Sequence, residues 1–459
     1  MNSQLTFDEF DKISMQEWLK IAEKELKGNS PEQILNWTVE KNISAHPYPE
    51  ASRVYSSFGK STNDWAVIEK IEIPSFTEAN KTALLALNNG ATGLHFDVPF
   101  LLVNDLEELF KNILLEHITV FIKITSFQQA EVFFKWITEQ KHPTDSLVGG
   151  LLFNPFSEAA SKGEFNKNLT EDIVSIAKLA QPYSRFKCFS AGESIYHHGG
   201  ASLVESTAFG FSEAVEFIQI QIENGISIDD AAANVLYEPI VGSCFLPEIA
   251  RMRAVKHIWS KIIEAYNPMH NCSKYAYLYA STSKREIALP DSYNNLLRGT
   301  SQAMSAVIAG VDALHVESFD SLNKNSTFGK RIARNTQLLL EHESFLDKVS
   351  DPSKGSRYVE SLTENFIKKA WLLFCEVQDL GGIKTALERN FIQWKVKHSA
   401  SLIANEIAEG KKKVIGVNIY PNAKEDYLEE INTNTSSLKD FEAISPVYPY
   451  SKFVKPVNA

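Results

Sequence analysis

The feature that most limits what this chain can become is a strict alternation of two periodicities. Seven short β-rich runs follow one another: LHFDV (Leu94–Val98), ITVFIKI (Ile118–Ile124), LVGGLLF (Leu147–Phe153), FKCFSAG (Phe186–Gly192), NVLYEPIV (Asn234–Val241), YAYLYAS (Tyr275–Ser281) and ALHVESF (Ala313–Phe319). Before and between them lie stretches with apolar residues at helical spacing, from Phe76, Asp105, Gln128, Leu169, Val204, Pro247 and Tyr293 onward. Strands separated by helices cannot pair as hairpins, so the pattern implies right-handed crossovers and a parallel sheet. The stretch Thr327–Ile383 is expected to supply an eighth unit. Eight units favour an α/β fold of the closed (β/α)8 TIM-barrel type over an open doubly wound sheet. No GxGxxG opens a helix and no GxxxxGK[ST] occurs, so the phosphate-cradling alternatives lack their motif.

What flanks this body reads differently. Residues 1–60 are expected to form an N-terminal arm, 61–420 the barrel and 421–459 an extended tail. In the arm, MQEWLKIAEKEL (Met15–Leu26) is a short amphipathic helix stopped by Lys27-Gly28-Asn29. It is too short to be stable alone and must dock somewhere. KKKVIGV (Lys411–Val417) reads as a last short β-rich run, and the polar tail beyond carries one short helical stretch at Lys424–Glu430.

Charge and cysteine usage exclude several functions. A net charge of -11 and a pI near 5.6 argue against a nucleic-acid partner, which calls for clustered Lys and Arg. The acidic opening MNSQLTFDEFDK is not a secretory signal, and no apolar run approaches bilayer length, so the cytoplasm is the expected location. Cys188, Cys244, Cys272 and Cys375 form no CxxC pair and read as reduced thiols, with neither a zinc ribbon nor a disulfide framework.

Several long segments carry a resemblance. RIARNTQLLLEHES (Arg331–Ser344), then DPxxGSxYVExLT (Asp351–Thr363) and AWxLFxEVxxLGG (Ala370–Gly382), resemble the barrel domain of methylmalonyl-CoA mutases and related acyl-CoA mutases. EIARMRAVKHIWSKI (Glu248–Ile262) is similar to the family's EIAKLRAxRxLW helix, and Asn294–Asp320 resembles the small-subunit form of the next helix and strand. In the arm, Trp18, Leu26-Lys27-Gly28 and Pro47-Tyr48 resemble the beginning of the family's small subunits, so the likeness runs from about Trp18 to Tyr420.

The resemblance implies a barrel that shelters an acyl-CoA, beside a flavodoxin-like domain that holds cobalamin through the His of a DxHxxG motif. This chain has no DxHxxG, its last histidine is His398, and the stretch after Val417 is too short for such a domain. Where catalytic chains carry GYHMQEAGA after the fourth strand, this one has GESIYHHGGA (Gly192–Ala201), placing Ser194 and Ile195 at the catalytic Tyr and His. Tyr196, His197 and His198 remain the only catalytic candidates there, as acid or carbonyl donor or else as loop residues bonded to backbone. Where the family has a carboxylate-binding Arg at the start of the preceding helix, Glu171 and Asp172 stand. On the sixth strand, LYASTSK (Leu278–Lys284) puts Leu278 and Ala280 in place of a His and a Gln that face the CoA channel, and its alternating tyrosines suit barrel filling or a ligand shelf. The resemblance with its departures implies a small, non-catalytic subunit of a heterodimeric adenosylcobalamin-dependent methylmalonyl-CoA mutase. No catalytic, cofactor-binding or metal residue is expected here, adenosylcobalamin is held by the large partner chain, and acyl-CoA is met only through that partner. The alternative is a substrate-binding barrel working with a separate cobalamin-binding chain.

Overall fold

The structure is a computed structural model describing residues 13–40, 43–49, 53–55, 62–98, 102–323, 325–422 and 440–446. The arm begins with α1 (Met15–Glu25) and α2 (Pro31–Leu35), followed by the antiparallel pair β1 (Trp37–Glu40) and β2 (Ile43–Ala45). Ser14 and Glu17 form a reciprocal capping box that starts α1, as the S-x-x-E spacing dictates.

The body then runs β3 (Ala66–Ile71), α3 (Phe76–Asn88), β4 (Gly93–Asp97), α4 (Val103–Leu109), β5 (Thr119–Ile124), α5 (Phe127–Glu139) and β6 (Val148–Phe153). It continues through α6 (Pro155–Lys162), α7 (Leu169–Ala180), β7 (Phe186–Gly192), α8 (Ser194–Gly199), α9 (Leu203–Glu223), α10 (Ile228–Ala233), β8 (Val235–Glu238) and β9 (Ile240–Val241). Last come α11 (Phe245–Ala265), β10 (Tyr279–Thr282), α12 (Asn294–Ile308), β11 (Ala313–His315), α13 (Thr327–His342), α14 (Arg357–Asp379), α15 (Gly382–Glu388) and α16 (Phe391–Ala408).

The sheet from β3 to β11 is wholly parallel. β8 and β9 are one strand interrupted at Pro239, which has no amide hydrogen to give the ladder. Its first half reaches Leu278 through a bridge at Tyr237 and its second half pairs with β10, while β11 pairs with β3, so eight strands close into a barrel. The fold is the expected TIM-type α/β barrel.

The count of units differs in one respect. The strand that completes the eight is β3, the first in the chain to enter the barrel, and Thr327–Ile383 contributes helices only. The strands numbered fourth and sixth from the sequence are therefore the fifth and seventh of the barrel. β3 escapes detection because AVIEKI places Glu69 and Lys70 side by side in a strand otherwise buried, which hides both the apolar run and the alternation. Lys411–Val417 also departs from expectation: it is a series of turns with an isolated bridge between Ile415 and Ile419.

The barrel axis is filled. Ile68, Phe121, Leu152, Leu236, Tyr279 and Ala313 form a cluster separate from the strand–helix core, with Ala66 and Tyr277 against it. Tyr279 lies flat on Phe121, ring centroids 4.2 Å apart and planes 5° from parallel. Gly149 has φ +123°, and a β-carbon there would meet Val120 O at 2.0 Å, so only glycine lets β6 approach β5 this closely.

Two segments outside the barrel are fastened to it. Glu40 accepts hydrogen bonds from the amides of Leu203 and Val204 at 2.7 and 3.0 Å, supplementing the cap of α9. Tyr55 is clamped by Arg253 and Glu360 through its backbone carbonyl and amide. Of the stretch read from the sequence as an extended tail, the described residues 440–446 dock on the barrel: Phe441 and Ile444 are buried, and the amides of Phe441 and Ile444 donate to Gly163 O and Ala160 O. The helix expected at Lys424–Glu430 lies outside the described residues.

Candidate functional site

In an eight-stranded barrel the functional face is the one at the C-terminal strand ends. The fifth strand, β7, delivers Gly192 and Glu193 there and runs directly into α8, so GESIYHHGGA is a helical turn and not an open loop. All three sequence candidates sit on that turn, and Tyr196 and His197 are wholly buried. Tyr196 donates its hydroxyl to Glu213 at 2.7 Å, and Gly192 N, Asn154 Nδ2 and Ser157 Oγ give three more hydrogen bonds to the same carboxylate. Burial and the neighbouring Glu213 carboxylate push the Tyr196 hydroxyl well above its ordinary value. His197 Nε2 lies 2.7 Å from Ser283 Oγ. Burial, then the Arg285 guanidinium, hold its imidazole well below its ordinary value, so it is neutral. His198 Nδ1 lies 3.2 Å from Ser194 Oγ, and burial followed by Arg285 lowers it to about 3. These side chains fix the corner between two strands.

The other sequence positions resolve as follows. Glu171 and Asp172 occupy the first turn of α7, on the outer shell, where carboxylates complement the helix dipole and Asp172 accepts from Asn166 Nδ2. Leu278 and Ala280 do not face the axis. They belong to the strand–helix core, and on this strand Tyr277 and Tyr279 point inward instead. A one-residue shift in a strand exchanges its two faces, so the axis-facing pattern belongs to Tyr279 and its neighbours at even spacing.

The polar groups gathered over the filled axis were not singled out from the sequence. The Tyr279 hydroxyl lies 2.6 Å from His95 Nδ1, His95 Nε2 lies 2.8 Å from Asp97, and Lys70 reaches Asp97 at 2.6 Å. Burial opposes ionisation of Asp97, but His95 and Lys70 outweigh it and hold the carboxyl well below its usual range. With Asp97 ionised and accepting, His95 carries its proton on Nε2 and accepts the phenol at Nδ1. Burial lowers the His95 imidazole to about 4 despite Asp97. Across the mouth, burial raises Glu238 to about 7, with Ser190 and Lys123 opposing. Glu317 is held low by Lys284 and His315 against the cost of its burial. The signal for this layer was present as His-x-Asp at Leu94–Val98 and His-x-Glu at Ala313–Phe319, polar pairs two apart at strand ends.

Among the described residues, no group of three or more His, Cys, Asp or Glu side chains is arranged to hold a metal ion. No described helix is long and apolar enough to cross a membrane.

The family model for methylmalonyl-CoA mutase matches residues 90–444, ending at the buried Ile444 of the docked segment. The methylmalonyl-CoA mutase small subunit of Porphyromonas gingivalis is 27% identical over 441 residues, covering 91% of this chain and 71% of that protein. The methylmalonyl-CoA mutase of Cereibacter sphaeroides is 26% identical over 475 residues, covering 92% of this chain. The chain spans 66% of that relative's length. Among solved structures, HPPK-DHPS of Plasmodium falciparum overlays with a TM-score of 0.37 and 11% identity, over 73% of this chain and 56% of that one. With the family match spanning most of the sequence, this chain belongs to the methylmalonyl-CoA mutase family.

Proposed function

We propose that this chain is the small, non-catalytic subunit of a heterodimeric, adenosylcobalamin-dependent methylmalonyl-CoA mutase, which interconverts methylmalonyl-CoA and succinyl-CoA. The observation that carries this reading is the closed barrel axis. Stacked Phe121 and Tyr279, with Ile68, Leu152 and Leu236 around them, occupy the axis that a pantetheine-sized chain would have to thread. An acyl-CoA bound along that axis would have to displace buried aromatic side chains, each exposed at a cost of about 1.5–3 kcal/mol.

The strand-end chemistry supports the same reading. Tyr196, bonded to Glu213, and His197, bonded to Ser283 through Nε2, are wholly buried and reach no surface from which a substrate could be polarised. Ser194 and Ile195, at the catalytic positions of the resemblance, offer respectively a hydroxyl tied to His198 and an aliphatic side chain packed on the core.

Adenosylcobalamin supplies the family's radical chemistry, and the residues here do not fit it as ligands. At the mouth, His95 is engaged through both ring nitrogens, and His315 faces Glu317 with Nε2 and Ile68 O with Nδ1. His398 lies flat on Trp394, planes 2° apart, on the surface of α16. On this reading the cofactor belongs to the large partner chain, and the location is the cytoplasm.

The arm supports a partner of this kind. It is fastened to its own barrel at Glu40 and Tyr55, yet α1 buries no residue, and Ile13, Ile21, Ile34 and Trp37 remain exposed. An amphipathic helix held out in this way is a contact surface for another chain. The test is co-expression with a catalytic mutase chain. A tight one-to-one complex by size-exclusion chromatography is expected, with turnover of methylmalonyl-CoA by the complex and none by this chain plus adenosylcobalamin. Turnover by the isolated chain, or failure to form the complex, overturns the reading.

A further inference from the structure

The cavity between the first strand, the last strand and α13 is given no ligand in the reading above, although Lys70, His315 and Glu317 of its lining belong to the polar layer at the mouth. It encloses about 110 Å³ and is bounded by Lys70, Lys284, Lys330, Arg334, Gln337 and Glu317, among others. We propose that it binds a free tetrahedral oxyanion of the size of inorganic phosphate.

Charge is the first argument. Lys70, Lys284, Lys330 and Arg334 line the space against the carboxylates of Glu69, Glu72 and Glu317. The lining is thus net cationic in a chain whose overall charge is -11. Two of its ion pairs are long, Lys284–Glu317 at 3.3 Å and Lys330–Glu72 at 3.4 Å, and both lysine side chains are partly exposed. The Lys330 ammonium can swing to a bound dianion by giving up only its long contact with Glu72.

Unsatisfied hydrogen-bonding capacity is the second. Arg334 and Gln337 sit one turn apart on α13 at 9% and 1% exposure; Arg334 is paired with Glu69 through Nη1, yet Arg334 Nε and Gln337 Oε1 find no partner among the described residues. Buried polar atoms are almost always paired, and leaving one unpaired costs about 1–3 kcal/mol. One orphan is a donor and the other an acceptor. Monohydrogen phosphate answers both, with acceptor oxygens for the guanidinium and a P–OH for the amide.

Position is the third. Lys284 follows the seventh strand, and Ser318 and Asn325 follow the eighth. The loops after these two strands are where eight-stranded barrels commonly hold phosphate. The N-terminus of α13 is already occupied: Ser326 Oγ accepts from Gly329 N at 3.0 Å, and Asp320 accepts from Ser326 N at 3.2 Å. The oxyanion is therefore held by side chains.

The experiment is calorimetric titration of inorganic phosphate into the full chain near neutral pH, with chloride added to keep ionic strength constant. Saturable binding at one site per chain is expected. Lys330→Glu should weaken it about tenfold or more by replacing an attractive charge with a repulsive one, and Lys284→Ala should weaken it less. Lys20→Glu, the same charge change on the distant α1, should leave it unchanged, and Gln337→Leu should weaken binding with Lys330 intact. Absence of saturable binding overturns the proposal. So does equal weakening by Lys20→Glu and Lys330→Glu, which would mean general charge screening, or phosphate binding indifferent to Lys330→Glu and Gln337→Leu together.

Discussion

α1 and α11 carry the same kind of pattern, apolar residues at helical spacing with a tryptophan on the apolar stripe, and the molecule uses them in opposite ways. Of the 21 residues of α11, fifteen are buried, including Glu248, Arg251, Arg253 and Lys256. Of the eleven residues of α1, none is. α11 lies between the barrel wall and α14, so even its charged side chains need partners inside the protein. Arg251 donates to both oxygens of Glu193 at 2.7 Å, to Glu248 at 2.8 Å and to Ile240 O at 2.7 Å. Glu193 and Glu248 together raise the Arg251 guanidinium above its ordinary value despite burial. α1 instead turns Trp18 onto Tyr48 and His46 and leaves Ile21 outside. Periodicity therefore tells which face of a helix is apolar, and it does not tell which chain covers that face.

The sharpest way to break this contrast is to remove a charge from α11. Arg251→Met leaves Glu193 and Glu248 buried without their counter-ion, and breaking a buried pair in this manner costs about 3–5 kcal/mol. Urea unfolding of the isolated chain should show that loss. A change of under 1 kcal/mol would mean that the ionic network is incidental to the burial of α11.

A comparable but smaller loss is expected at the barrel axis. Tyr279→Ala deletes a ring stacked on Phe121 and should cost about 3 kcal/mol. Tyr279→Phe keeps the stack, loses only the hydroxyl facing His95, and should cost about 1 kcal/mol. Equal costs for the two variants would show that the hydrogen bond, and not the aromatic filling, holds the axis closed.

The barrel was legible in the sequence because seven of its strands are bounded by turns and separated by helices of ordinary length. The first strand was not, since Glu69 pairs with Arg334 of α13 on one side and Lys70 with Asp97 on the other, partners far away in sequence. The candidate site was legible only in part. GESIYHHGGA was the right place to look, but spacing could not reveal that the turn is helical and that Glu213, about three turns into α9, takes the Tyr196 hydroxyl. Leu278 and Ala280, which the resemblance aligns with a channel-facing pair, lie on the helix side, while Tyr277 and Tyr279 of the alternating tyrosines fill the barrel as their spacing suits.

A pH measurement sharpens the comparison from the side of the mouth. Burial raises Glu238 to about 7 from the ordinary carboxyl value of 4.5. A group whose folded pKa is raised stabilises the fold fully below the unfolded value, and that contribution is lost as pH rises through the folded one. Stability should therefore decline between about pH 5 and pH 8 more steeply in the wild type than in Glu238→Gln, by on the order of 1–3 kcal/mol. Glu40 and Glu213 are also raised to about 7 and remain in the variant, so its slope should shrink without vanishing. Parallel pH profiles would mean that Glu238 ionises freely in the folded protein.

The smallest expected effect on the chain itself is the most informative about α1. Ile21 is 54% exposed, so Ile21→Asp should change the unfolding free energy by no more than about 0.5 kcal/mol. The same substitution at Ile258 of α11, buried to 1%, would place a carboxylate in the core and prevent folding at ordinary temperature. The contrast becomes decisive once a catalytic mutase chain is present. If α1 is a contact surface, Ile21→Asp should leave the isolated chain unaltered in denaturant and weaken the complex about tenfold or more, because a carboxylate brought into an apolar interface loses its hydration without gaining a partner. Trp18→Ala should weaken it too, and partly through the arm, since the ring also orders Tyr48 and His46. A complex of undiminished affinity with Ile21→Asp would place the contact elsewhere and leave the apolar face of α1 unexplained.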